Sequence, residues 1–488
     1  MSQLESITQR VERLAQEKAD DIALILPKRS GEDRQLTWRE LNGKSNHRAR
    51  QIAECGVGES TVVAVALPGE LDHVITTLAA WKIGATVVPV DPHLSDAEVD
   101  HIVSVISPGL YVTRSACSPD CPKIDPEVWA DGWSEENPPP PSGEPRSAST
   151  TGGTQGRPRV IHRKRGWMFD PDGIPTPHER RMGFTSYQTH LVAAPLFHSG
   201  FGALFGPLGL GHRVVLLPRF HPSFVLDCVE RYSVNFMRLV PTMMKLLLLP
   251  GARIADRDLS SIEVIHHGTA SCPPNVKIAW FDLVGPERVY EGYSSQEQFA
   301  YIYIRGDEWL ARPGSVGRPD PGAVAIVDEA GDQVPAGTTG RIFLRSNDGS
   351  GPDYLGAGEQ LPSWQGKYFT VGDLGHLDDA GYLYVQGRAN DLINVGGISV
   401  YPAEVEAVLL ASDQIVDACV VPASHPVLGQ VPHALVVPAQ GTELSWPELE
   451  AYCRARLSAH KVPQSFTAVD VLPRTGAGKL RRSALTVE

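Results

Sequence analysis

The sequence has no long apolar run. Its most hydrophobic stretch, LVPTMMKLLLLP at 239–250, is broken by Lys245 and closed by proline. A membrane-crossing helix needs roughly 20 apolar residues, so this segment is expected as a buried helix and no membrane span is expected. Cysteine is scarce: there are seven, odd in number and irregularly spaced. That excludes an extracellular disulfide framework and points to a reducing cytoplasm. Cys117 and Cys121 form a lone CxxxC without the second pair of ligands that tetrahedral zinc requires. Positive charge is in deficit, 44 Lys and Arg against 57 Asp and Glu for a net −13. A broad nucleic-acid surface is thereby disfavoured, and any anionic ligand must be met by local donors. The polar N-terminus is not expected to act as a signal peptide. Neither a GxxxxGK[ST] loop nor an internal repeat occurs.

What is present is an ordinary globular composition, 42% hydrophobic and 21% charged, over 488 residues. That length calls for two to four folding units. Leu4, Ile7, Val11 and Leu14 recur at helical spacing, and DIALILP follows as a strand. Thr37 with Glu40 predicts a capping box opening a helix that stops near Gly56. TVVAVALP, GELDHVITTLAAWKIG and ATVVPVDP then read as strand, helix and strand, a βαβ unit with parallel strands. A Pro- and Ser-rich surface connection covers about 118–148, α/β patterns resume to about 310, and short strands separated by glycine turns dominate 314–386. Beyond 390 comes a compact tail: helix AEVEAVLLAS, strands DACVVPA and HALVVPA, a helix capped by Ser445 and Glu448, and strand FTAVDVLP. The expectation is a large α/β N-terminal domain, 1–389, with layered βαβ sheets and a small β subdomain. A smaller α+β C-terminal lid, 390–488, would follow it.

TGGTQGRPR at 151–159 combines bare backbone with hydroxyls, which suits polyphosphate, although a glycine-rich structural turn would look the same. Its company along the chain decides between them. LAAWKIGATVVPVDP at 78–92, APLFHSGFG at 194–202, EGYSSQE at 291–297, GSVGRP at 314–319, YFTVGDLG at 368–375, GRANDLINVGGISVYPAEVE at 387–406 and PRTGAGKLRR at 473–482 follow in order. With the glycine loop, these stretches resemble the adenylate-forming superfamily: acyl-CoA synthetases, peptide-synthetase adenylation domains and luciferases. The series covers nearly the whole chain.

The resemblance implies a two-step reaction with ATP, Mg²⁺ and coenzyme A. A small-molecule carboxylate attacks the α-phosphate to give acyl-AMP and pyrophosphate, and a thiol then displaces AMP. Thr151, Gly152, Gly153, Thr154 and Gly156 would grip phosphates, with Arg159 where relatives carry lysine. Glu297 would hold Mg²⁺, and Gln296 stands where threonine is usual. Glu291, Gly292 and Tyr293 would meet the adenine, with Gly268, Thr269 and Ala270 along its edge. Asp373 and Arg388 would take the ribose. Lys479 would bridge carboxylate and α-phosphate oxygens during adenylation. Asn390 would be the hinge of a rotating tail that exchanges Lys479 for Gly396 and Gly397 at the thiol tunnel. His198 would gate the acyl pocket, and RKR at 163–165 reads as a solvated basic loop.

FHSGFGALFGPLGLG carries no aspartate to pair an α-ammonium, which disfavours amino acids. Gly200, Gly202, Gly206 and Gly209 would leave space for a bulky hydrophobic acid, aromatic or polycyclic. CoA is the expected acceptor. Loading of a carrier protein and a nonenzymatic nucleotide-binding role are the alternatives, the latter raised by Arg159, Gln296 and Asn390.

Overall fold

The computed structural model describes residues 4–115, 121–128, 134–151, 159–163, 165–346, 350–355, 360–474 and 480–485. It divides into two compact units interleaved along the chain. One contains 1–239, 250–266 and 352–360; the other contains 240–249, 267–351 and 361–488.

The first unit opens on the helix Ile7–Glu17, whose capping box joins Ser6 and Gln9 and whose apolar face buries Ile7, Val11 and Leu14. Leu4 lies outside that helix and is exposed. The Thr37–Glu40 capping box forms as expected, opening Trp38–Glu54, and Gly56 follows in the left-handed region at φ 81°. Strands Val62–Ala66 and Thr86–Pro89 pair in parallel on either side of the helix Leu71–Lys82. Their near-continuous apolar runs suit strands covered on both faces. The sheet extends through Arg146–Thr151 to Arg159–His162, an antiparallel pair with Thr151 opposite Arg159. Within 118–148, the described residues include a short strand, Lys123–Ile124, and a 3₁₀ turn, Pro126–Val128.

A second set of parallel strands places Thr189–Val192 between Arg213–Leu216 and Phe236–Leu239. Because they run the same way, the segments that follow Val192 and Leu239 leave at one edge. In open α/β sheets, that carboxyl edge is where ligands bind.

The second unit contains the hairpin Val289–Tyr293 with Ile302–Arg305 and the expected small β region. There Ser315–Gly317, Leu383–Arg388, Asp373–Leu377 and Gly340–Arg345 are neighbours in one sheet. Helix Pro241–Leu248 buries only Pro241, Met244 and Leu247, so LVPTMMKLLLLP is apolar on one face rather than sunk throughout. The tail forms a sheet on which the helices Pro402–Leu410 and Trp446–Arg454 pack, with its own core including Ile393, Val405, Val420, Val436 and Leu449. One expected cap is absent. Ser445 makes no side-chain cap, and Pro447, with no N–H to offer, stands in that first turn.

Candidate active site

Asp373 begins the strand Asp373–Leu377 directly opposite Arg388 in register. Its carboxylate accepts from the Tyr293 hydroxyl at 2.7 Å on Oδ2 and from Arg388 Nε at 3.2 Å on Oδ1. Burial, reinforced by Asp373, raises the Tyr293 pKa well above the usual range, so this phenol stays an O–H donor. A carboxylate can accept about four hydrogen bonds, leaving Asp373 capacity for two vicinal hydroxyls. Three residues separated by up to 95 positions in the sequence are thus brought to one point.

Two of the residues expected along an adenine edge also meet. A Cβ built on Gly268 would lie 2.5 Å from the Gly292 carbonyl oxygen, so the two backbones touch where only glycine fits. Thr269 is exposed and left-handed at φ 70°, a costly conformation for a β-branched residue and one that clusters at functional sites. Ala270 beside it is exposed. Glu291 is turned inward, to the ammonium of Lys277 on the helix Pro274–Val284. That ammonium also sits 4.3 Å from the Trp309 ring centroid. Both members of the pair are buried. Lys277 was invisible to motif reasoning; its only signal was a lone cation in the apolar helix PNVKIAWFDLV.

Gln296 and Glu297 follow the strand Val289–Tyr293 and are half-buried. Phe299, stacked on Phe369 at 5.4 Å, anchors the segment they belong to. Arg159 begins its strand with the guanidinium 5.6 Å from the Tyr354 ring centroid. Thr151 ends the neighbouring strand, so the glycine-rich segment joins the ends of two paired strands. Gly152, Gly153, Thr154, Gly156 and Lys479 lie outside the described residues.

Gly396 and Gly397, at φ 59° and 92°, form the two-residue turn between Ile393–Val395 and Ile398–Val400. Hairpin geometry alone demands glycine there. Asn390 is exposed in the 3₁₀ turn Ala389–Asp391 and is not left-handed, so the angular tolerance of asparagine is not used in this conformation. His198, half-buried, precedes the helix Ser199–Leu210.

The four helix glycines divide. Gly202 and Gly206 face open space, whereas a Cβ on Gly200 would strike the Ala194 carbonyl at 2.1 Å and one on Gly209 the Phe169 ring at 2.3 Å. Only two of them leave room; the others permit close packing. Arg163 is not a solvated loop residue either. Its guanidinium lies 4.0 Å from the Trp167 centroid, and burial lowers its pKa to about 10.

Comparison with known proteins agrees with this geometry. The AMP-binding enzyme family model matches residues 11–354, and the AMP-binding enzyme C-terminal domain matches 404–479. The chain belongs to this family of AMP-binding enzymes. It is 29% identical over 486 residues to a 2-succinylbenzoate–CoA ligase of Bacillus velezensis, covering 96% of each chain. It is 30% identical over 466 residues to a feruloyl-CoA synthase of an Amycolatopsis species, covering 91% of this chain and 92% of the relative. The structure of the Bacillus subtilis o-succinylbenzoate CoA synthetase with its acyl-adenylate superposes with a TM-score of 0.84 at 28% identity, covering 100% and 99% of the two chains. The same enzyme has also been solved with ATP and a magnesium ion, with a TM-score of 0.80.

Proposed function

We infer that the protein is an ATP-dependent, AMP-forming acyl-CoA synthetase. In the first step a carboxylate oxygen bonds to the α-phosphorus of ATP and pyrophosphate departs. In the second, the thiol of CoA attacks the acyl carbon, the bond to AMP breaks and a thioester forms. The observation that carries this reading is the Asp373 carboxylate held between Tyr293 and Arg388, in a chain whose CoA-ligase relatives match it almost end to end.

Asp373 accepts from the ribose hydroxyls, and the Gly268 and Gly292 backbones edge the adenine beside Tyr293. Thr151 through Gly156 and Arg159 donate to phosphate oxygens, while Gln296 supplies an amide N–H. Glu297 suits Mg²⁺, because one half-buried carboxylate with phosphate oxygens is a common ligand set for this ion. When bound, the metal neutralises phosphate charge. Lys479 bridges the reacting oxygens from the tail 390–488, which turns about Asn390 after adenylation and brings Gly396 and Gly397 to the thiol path. His198 opens the way to a bulky, largely apolar acid without an α-amine. Among the described residues no helix is long and apolar enough to cross a membrane. We place the enzyme in the cytoplasm, where the free thiols of Cys55 and Cys121 would stay reduced.

The test is pyrophosphate exchange with a panel of carboxylic acids, followed by thioester formation with CoA or a pantetheinylated carrier protein. Acid-dependent exchange and CoA thioester are expected. Exchange with transfer to the carrier alone would make the protein a carrier-loading ligase, and no ATP binding would overturn the reading.

A further inference from the structure

Arg159 opens the strand Arg159–His162 at the end of the glycine-rich stretch, and what lies beside it comes from far along the chain. The two-residue strand Tyr354–Leu355 pairs antiparallel with this strand, Tyr354 opposite Ile161 and Leu355 opposite Val160. All of these residues belong to the first unit. The pairing is reinforced one residue earlier. The main-chain N–H of His162 donates to the Asp353 carbonyl at 2.7 Å, and its ring donates from Nδ1 to Asp353 Oδ2 at 3.2 Å. Leu355 packs against the core cluster that contains Val160, Val88 and Val90, which fixes the face it occupies.

That register decides where Tyr354 points. Side chains alternate along a strand, so Leu355 and Val160 share one face while Tyr354, Ile161 and Arg159 share the other. Tyr354 and Arg159 are then diagonal neighbours, a separation that an aromatic ring and a long side chain can bridge. The observed contact agrees: the guanidinium carbon lies over the Tyr354 ring, 5.6 Å from its centroid. Both residues are half-buried. A guanidinium attracted to the negative face of a ring through its own flat face keeps its in-plane N–H groups free for another acceptor. A lysine there would have to aim its ammonium, and with it a donor, at the ring.

We propose that Tyr354 is a positioning residue for Arg159: its ring seats the guanidinium at the end of the glycine-rich segment with the N–H edge left for the terminal phosphates of ATP. This rests on the acyl-CoA synthetase reading, in which Arg159 meets phosphate. Tyr354 itself touches no reacting atom. Its strand, tied down by Asp353 and Leu355, limits the rotamers of a long side chain that the adjoining loop would otherwise leave to solvent.

The experiment measures binding of ATP with Mg²⁺, and of AMP, by isothermal titration calorimetry. Tyr354→Leu should weaken ATP by about two- to fivefold, the scale of a partly exposed cation–ring contact, and leave AMP, which lacks the terminal phosphates, within error. Tyr354→Phe keeps the ring and should bind ATP as the native protein does. Pentafluorophenylalanine at 354 keeps a ring of similar shape but removes its negative face, and should reproduce the loss even if Tyr354→Leu melts early. In Arg159→Met, Tyr354→Leu should cause no further loss, since the ring acts only through the guanidinium. Equal weakening of ATP and AMP, or the same ATP loss with and without Arg159, would reduce Tyr354 to a structural residue and overturn the inference. So would unchanged ATP affinity in both ring variants, with the ligase reading left standing. A native protein that binds neither nucleotide would remove both.

Discussion

Replacing Lys277 by methionine tests the buried pair Lys277–Glu291. Lys277 and Glu291 are 4% and 8% exposed, and the ammonium makes its ion pair with Glu291 while facing the Trp309 ring. The variant would leave the Glu291 carboxylate buried without its cation, at a cost of about 3–5 kcal/mol. Loss of the ring contact is included in that figure, since an interaction of this kind contributes about 0.5–2 kcal/mol. With a urea dependence of about 3 kcal/mol per molar, the midpoint of the affected transition should fall by about 1–1.7 M. Tryptophan fluorescence would follow it, because Trp309 and Trp280 are buried nearby in the same unit. Removing both charges should cost far less, since apolar replacement of a whole buried pair is often neutral or stabilising. Lys277→Met with Glu291→Met is therefore expected to recover most of the lost stability. Glu291 is also two residues from Tyr293 on one strand, so the single variant should raise the KM for ATP, with partial rescue by Lys277→Arg. A midpoint shift below 0.3 M, or a double variant no better than the single one, would refute the reasoning.

Changing Lys479 to alanine should abolish acid-dependent pyrophosphate exchange while largely sparing thioester formation from supplied acyl-adenylate; equal loss of both steps would contradict a rotating tail. Ser294 directly follows Tyr293 at the end of the strand Val289–Tyr293 and is exposed; if the acid lies beside it, Ser294→Trp should move selectivity toward smaller acids in the same exchange assay, and unchanged selectivity would refute that placement. Stability should fall on acidification, because burial lowers His73 and His212 from 6.5 to about 4. The unfolded chain takes up these protons below about pH 6.5 and the folded protein only near pH 4, so stability is complete above 6.5 and declines between the two values. At pH 5 the loss is about 2 kcal/mol per histidine, read as a urea midpoint lower than at pH 7.5. His212→Gln should reduce that dependence by about half, leaving the share of His73, and an identical slope would refute the assignment.

Local order was legible wherever the chain carried its own instructions. Thr37 and Glu40 cap a helix because both partners lie within one turn, and the apolar runs at 62–66 and 86–89 form parallel strands around the helix Leu71–Lys82. Ordered motifs likewise pointed to Tyr293, Asp373 and Arg388 before their hydrogen bonds were seen. Spacing along a chain carries no information about which side chain faces which across a sheet, and there tertiary structure decided. It turned Glu291 toward Lys277, pressed Gly200 and Gly209 into close packing while leaving Gly202 open, and buried Arg163 against Trp167. Residue type sets the chemistry a side chain can perform. Burial and the partners supplied by distant strands determine whether that chemistry is spent inside the fold or remains available to a ligand.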